Sequence, residues 1–368
     1  MRAEPFRPFR PAWWLPGPHL QTLWSRVLRR GPRVPLERET WATPDGDELA
    51  LDWLGGPSGH CGPSGFSGAS LLLGLHGLEG CSRSLYMLGL LDLGRRHGWR
   101  GLALNFRSCT PPPGSGPRRV LARRQYMMNR GRRLYHSGET QDLDGVVRGL
   151  IEREPGLELV LVGVSLGGNV LLKWLGEMGA DVPDAVRAAA TISVPYDLAA
   201  ASRYLESGLG PRYVRYFIET LKEKALRFDE RHPGIVDVEG VRRACTFREI
   251  DDSAIAPIHG FADADDYYAR SSSIDYVDRI RVPTLLVSAA DDPFLPARVL
   301  SEVERRASDA VTCEFTARGG HAGFVAGPPW RPRTWAEERA IAFLAEHAAS
   351  RAPGADPRQR VGRRAAGR

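Results

Sequence analysis

Residues 157–179, LELVLVGVSLGGNVLLKWLGEMG, constrain the chain more than any other stretch. A β-favouring run, apolar apart from Glu158, ends at a serine set among glycines, and a helical pattern begins at once on the far side. An apolar run without alternation marks a strand buried on both faces, which calls for a parallel sheet covered by helices on each side. The rest of the chain has to supply that sheet and those helices.

It does so over most of its 368 residues. Further strands are expected at 70–75, 101–106, 188–194, 284–288 and 311–315. Helical patterns are SLYMLGLLDLGRRHGW, GETQDLDGVVRGLIERE, GGNVLLKWLGEM, PARVLSEVERRA and RTWAEERAIAFLAEHAA. ERETWATPDGDELALDW carries two alternating runs around Asp45-Gly46, the pattern of an antiparallel hairpin. Residues 55–68 read as a Gly/Pro/Ser-rich loop. Residues 196–281 are too long for a connection and carry helical sequence, so a helical cap inserted into the sheet domain is expected there. The expected division is an N-terminal extension packing on the core (1–36), an α/β core (37–195 and 282–349), the cap (196–281) and a disordered basic tail (350–368).

The apolar fraction of 42% is enough to fill such a core. No apolar signal-peptide segment and no run of 18 apolar residues occurs, so neither export nor a membrane-spanning helix is expected. Five scattered cysteines without a C-x-x-C pair speak against a disulfide framework and for a reducing, cytoplasmic setting. The histidines show no metal-ligand spacing, and no metal is expected. The net charge of +6 is concentrated: residues 351–368 contribute six Arg against one Asp, which leaves +1 for the rest. A second block, 111–138, holds seven Arg and no acid. It is read as a solvated loop or as a contact for an anionic substrate or phospholipid head group, hence a possible site of peripheral membrane contact. Nucleic acid is not an expected partner.

Gly163-Val164-Ser165-Leu166-Gly167 is a G-x-S-x-G between a buried strand and a helix. In a nucleophile elbow the serine takes a strained turn, and its neighbours must be small to let other backbone approach. The bland reading of Ser165 is a turn filler; the functional one is a nucleophile. A serine that attacks acyl groups needs oxyanion donors, one from the residue after it and one from the loop after an earlier strand. Those positions point to the amides of Leu166 and, in LLLGLHGLEG, of Leu78. His76 in the same loop is read as structural. A base and an orienting acid are expected in the order Ser, Asp, His. TLLVSAADDPFLP offers Asp292, with Asp291 as the alternative and Asp197 in SVPYDL as an outside candidate; RGGHAGF offers His321. His136 and His19 remain of interest.

Taken with WWLPGPHLQTLW, NFRSC, YHSGETQDL, HGFADADDYYARSS and GVSLGGNVLLKWLGE, the sequence resembles the YheT-like branch of the α/β-hydrolases, which includes eukaryotic abhydrolase-domain lipases. The resemblance runs from about Trp13 to His321. It implies an α/β-hydrolase fold with a mostly parallel central sheet and a helical cap, and a Ser-Asp-His triad on Ser165, Asp292 and His321. It also implies esterase or lipase-like activity on acyl esters, with no cofactor. The expected partner is a small-molecule or lipid ester. An acyltransferase that delivers the acyl group to an alcohol is the alternative, and a non-catalytic scaffold the bland one. The Arg-rich insert between NFRSC and YHSGET departs from the family pattern.

Overall fold

A computed structural model of the chain describes residues 6–57, 70–117 and 126–348. Most of the 55–68 loop, the tail from 350 onward and part of the Arg-rich insert lie outside the described residues.

Eight strands form one sheet: β1 (Glu37–Ala42), β2 (Glu48–Leu54), β3 (Ser70–Leu75), β4 (Arg100–Asn105), β5 (Glu158–Val164), β6 (Val186–Ile192), β7 (Thr284–Ala289) and β8 (Val311–Thr316), in the order β1-β2-β4-β3-β5-β6-β7-β8. The hairpin at the first edge and the β2–β4 pair are antiparallel; every later pair is parallel. β6 ends two residues earlier than its sequence suggests because Ser193 turns out of the strand with φ 54°.

Side-chain alternation explains the unbroken apolar runs. Leu159 and Leu161 enter one core while Val160, Val162 and Val164 enter the opposite one. Helices α1 (Pro18–Leu23), α2 (Leu85–Arg96), α3 (Gln141–Arg153) and α4 (Leu166–Met178) precede β6. Between β6 and β7 come α5 (Leu198–Leu205), α6 (Gly210–Asp229), α7 (Val238–Arg243), α8 (Phe247–Ile250), α9 (Ala256–His259) and α10 (Ala264–Ser271); α11 (Arg298–Arg306) and α12 (Trp335–Ala348) follow. One face of the sheet buries Val147 of α3, Trp174 of α4 and Val303 of α11; the other buries Leu88 of α2 and Leu344 of α12. Each such side chain contributes roughly 1.5–3 kcal/mol on burial.

The segment before β1 lies on this core. Phe6 and Phe9 pack on Trp335, and Arg29 forms a buried ion pair with Glu337 of α12. Three stretches that look unrelated in sequence meet in a second ion cluster: the Arg107 guanidinium bonds both oxygens of Asp142 at 2.8 Å and contacts Asp45 and Asp47. No helix among the described residues is long and apolar enough to cross a membrane.

β3 is flanked by β4 on one side and β5 on the other. The connections that leave β3, towards β4, and β5, towards β6, therefore run in opposite directions across the sheet, and a crevice opens beyond the carboxyl ends of these two strands. The loops carrying Leu78 and Ser165 leave from those ends.

Candidate active site

Ser165 occupies the turn between β5 and α4 with φ 55° and ψ −122°. Such a backbone costs a non-glycine residue roughly 1–3 kcal/mol and persists only where its surroundings hold it. Here its amide donates to Ile192 O of β6 at 2.8 Å, and its carbonyl accepts from Gly168 and Asn169 at 2.9 and 3.1 Å. A Cβ on Gly163 would lie 2.6 Å from Gly167 O, and one on Gly167 would lie 2.5 Å from His76 O. The glycines are thus the clearance that lets β3 and the helix close on the turn.

The Oγ of Ser165 lies 3.0 Å from His321 Nε2, and His321 Nδ1 lies 2.9 Å from Asp292 Oδ2. The other Asp292 oxygen accepts from Phe294 N at 2.8 Å, and both His321 and Asp292 are buried. Asp291 points elsewhere: its Oδ1 accepts from Gly320 N at 2.9 Å, and burial raises its pKa. Asp197 caps α5 by accepting from Ala200 N at 2.8 Å. Of the three carboxylates, Asp292 is the one against the imidazole.

His321 is braced by residues that sequence reasoning passed over. Its amide donates to Thr22 Oγ1 of α1 at 2.8 Å, the next amide, Ala322 N, donates to Ser193 Oγ at 2.9 Å, and the Phe294 ring stacks on the imidazole at 4.3 Å. Thr22 and Ser193 lie inside WWLPGPHLQTLW and SVPYDL, so the resemblance flagged the stretches without indicating the contacts.

The loop after β3 is tied down residue by residue. Phe106 N donates to His76 Nε2 at 3.1 Å, which assigns the proton to Nδ1, and Nδ1 donates to Gly77 O at 2.8 Å. The amides of Gly77, Glu79 and Gly80 donate to Tyr86 OH, Tyr135 OH and Gly77 O. Leu78 and Leu166 line the same pocket as Ser165 and His321.

The wall of that pocket is apolar along Leu198, Leu205, Phe217, Leu221 and Leu295. One carboxyl interrupts it: Asp251, whose Oδ2 accepts from Tyr268 OH at 2.7 Å and whose pKa burial pushes up to about 7. His136 is also on the wall, its ring 4.4 Å from His259; burial pushes both imidazoles down, His259 to about 3, so both are neutral. His19 meets Tyr213 OH at 2.9 Å on α6. Among the described residues no cluster of His, Cys, Asp and Glu could hold a metal ion.

Such an arrangement can pass a proton from a hydroxyl to an imidazole whose charged form a buried carboxylate stabilises, next to a pocket with an apolar wall.

Known proteins share this framework. A family model described as the alpha/beta hydrolase fold matches residues 71–328. YheT of Escherichia coli, provisionally named an esterase, is 36% identical over 327 residues, covering 87% of this chain and 88% of that one. Phospholipase ABHD3 of Mus musculus is 29% identical over 83% of this chain and 71% of its own. Among solved structures, an esterase from Pyrococcus furiosus covers 94% of this chain and 99% of its own at a TM-score of 0.52 and 15% identity, a likeness of fold. The chain belongs to the α/β-hydrolase family, in the branch that includes YheT.

Proposed function

We propose that the protein hydrolyses carboxylic acyl esters, with Ser165 as nucleophile, His321 as general base and Asp292 as the orienting acid. The single observation that carries this reading is the continuous line from Asp292 through His321 to Ser165 Oγ, at 2.9 and 3.0 Å, at the wall of an apolar pocket. His321 takes the Ser165 proton as Oγ attacks the ester carbonyl, and the imidazolium then gives that proton to the leaving alcohol. Water, deprotonated by His321, attacks the acyl-enzyme and frees the acid. Asp292 keeps the proton-bearing nitrogen of the imidazole turned towards itself and away from Ser165.

Leu166 and Leu78 supply the amides that hold the oxyanion. The assignment of Leu78 is supported by the engagement of Gly77, Glu79 and Gly80 elsewhere. α5 to α10 act as a cap, since Phe217 and Leu221 of α6 and Leu198 and Leu205 of α5 give the pocket its apolar wall. That wall suits an acyl chain, so short- to medium-chain esters and lipid-like acyl esters are the substrate class. The phospholipase name of ABHD3 and the monoacylglycerol lipase name of a Saccharomyces cerevisiae relative, 26% identical, agree with that class. Turnover of p-nitrophenyl esters of increasing chain length by the wild-type chain and by Ser165→Ala tests the reading. Activity that survives the substitution would contradict it.

A further inference from the structure

Lys224 is a charged residue that the mechanism above leaves without a task, and it is almost fully buried. It belongs to α6, yet its Nζ reaches out of that helix to Glu79 Oε1 at 2.5 Å and to Cys109 Sγ at 3.2 Å, and lies over the rings of Tyr126 and Tyr135 at 4.7 and 5.0 Å. The two charged side chains are 2% and 1% exposed, for Lys224 and Glu79 in that order. Glu79 is the residue after Leu78. It holds a left-handed backbone at φ 55°, its carboxylate also accepts from Tyr135 OH at 2.6 Å, and its amide donates to the same hydroxyl at 3.0 Å. A strained residue beside an oxyanion donor is thus fixed at both its backbone and its side chain, and one of the fixings comes from another part of the fold.

The helix that provides the ammonium also shapes the pocket. Phe217 and Leu221 of α6 line it, and Lys224 follows at the spacing that keeps it on the same face. We propose that Lys224 is a positioning residue for the loop that carries Leu78, coupling the seating of α6 over the pocket to the placement of the oxyanion donor. A buried ion pair is a poor general source of stability, because desolvation offsets most of the attraction, but it fixes geometry when further bonds hold the same groups, as the Tyr135 hydroxyl and Cys109 Sγ do here. The inference rests on the proposal that Ser165 attacks an ester and that Leu78 holds the oxyanion. With α6 displaced, Glu79 loses its counter-charge in a dry site and the loop relaxes; with α6 seated, the Leu78 amide is in place.

The test separates positioning from mere support. Lys224→Met is expected to lower kcat roughly 10–100-fold with KM within about threefold, the size expected when a reacting group is misplaced by about an ångström. It also takes the counter-charge away from the buried Glu79, so the melting temperature falls. In Glu79→Gln/Lys224→Met neither charge of the pair remains. Melting temperature is expected to recover there while kcat stays low. A trifluoromethyl ketone built on the substrate, which forms a tetrahedral oxyanion on serine, should lose affinity in proportion to the fall in kcat/KM. If the double variant recovers kcat along with its stability, or the ketone binds it as tightly as the wild type, the pair is only structural and the inference fails. Should both variants fail to fold, Tyr135→Phe removes the hydroxyl that bridges the Glu79 carboxylate and amide without stranding a charge. It must show the same kcat loss and weakened ketone binding, and wild-type values for both would overturn the inference. Ser165→Ala identifies which claim has failed: turnover in that variant removes the ester reading itself, whereas an inactive Ser165→Ala beside a fully active double variant removes only the role of Lys224.

Discussion

The amide of His321 donates to Thr22 Oγ1 at 2.8 Å, joining the loop after β8 to a helix 299 positions earlier. Thr22 is itself wholly buried and donates back to Pro18 O at 2.8 Å, so the hydroxyl is oriented to accept. The N-terminal segment is therefore part of the support of the proposed base. Thr22→Val keeps the shape and removes the acceptor; kcat is expected to fall about tenfold from a displaced imidazole, and stability by about 1–3 kcal/mol from the stranded amide. Thr22→Ser should retain most of both. Steady-state kinetics with thermal melts on the two variants check this, and equal activity in Thr22→Val and wild type would count against the bracing role.

Asp292 and Asp291 are neighbours with different partners, which makes them a paired control. Asp292→Asn should lower kcat by about 10³–10⁴, because the amide favours the wrong imidazole tautomer. Asp291→Asn leaves the His321 contact alone and weakens the bonds to the amides of Gly319 and Gly320, so its loss should stay within about tenfold. A reversed ranking of the two would move the orienting role to Asp291.

Asp251 predicts a pH dependence. Its carboxyl gives up a proton near pH 4 in an unfolded chain but at about 7 in the folded one, chiefly because burial disfavours the charge. Between those values the unfolded state holds fewer protons, so stability contributed by the neutral carboxyl is present at low pH and is lost as pH rises towards 7, by a few kcal/mol in all, as an order-of-magnitude figure. Asp251→Asn is expected to flatten the fall in melting temperature between pH 5 and pH 8 and to raise it most at pH 8. Parallel melting curves for the two proteins across that range would show that Asp251 is not the source.

Contact with an anionic lipid surface is a fourth expectation, consistent with a lipid-like substrate. Trp13, Leu28 and Trp330 are 76%, 66% and 81% exposed, and residues 6–36 contain no acid and, besides the buried Arg29, Arg7, Arg10, Arg26, Arg30 and Arg33. The wild-type chain should sediment with vesicles of equal parts phosphatidylglycerol and phosphatidylcholine more than with phosphatidylcholine alone. Trp13→Ala/Trp330→Ala should reduce that binding while leaving turnover of a soluble ester unchanged. Equal sedimentation of both proteins, or none of either, would remove the expectation.

What could be read from the sequence follows from what is local. β5 and the glycines around Ser165 were legible because burial on both faces and a tight turn each restrict residue choice within a few positions. The order Ser165, Asp292, His321 was legible because each stands a few residues past a recognisable strand, apolar before Ser165 and Asp292 and mixed, VTCEFT, before His321. Contacts that cross the fold left no such trace. Thr22 looks like any polar residue in a short helix, and Lys224 lies in RYVRYFIETLKEKALRF, where its charge is indistinguishable from that of the half-buried Lys222 two positions away. Gly320 is a further case: a Cβ there would meet Pro18 O at 2.5 Å, a constraint set by α1 that RGGHAGF alone does not reveal. The end of β6 was misplaced for a similar reason, since Ser193 leaves the strand in order to hold Ala322.

The central claim is that Ser165 Oγ is the attacking atom. The most direct measurement is intact-mass and peptide mapping of the full chain after reaction with a fluorophosphonate that bears an alkyl chain. The account predicts one adduct per chain, on the peptide containing Ser165, absent from Ser165→Ala and formed far more slowly in His321→Ala. An unmodified wild-type chain, or an adduct that persists in Ser165→Ala, would contradict it.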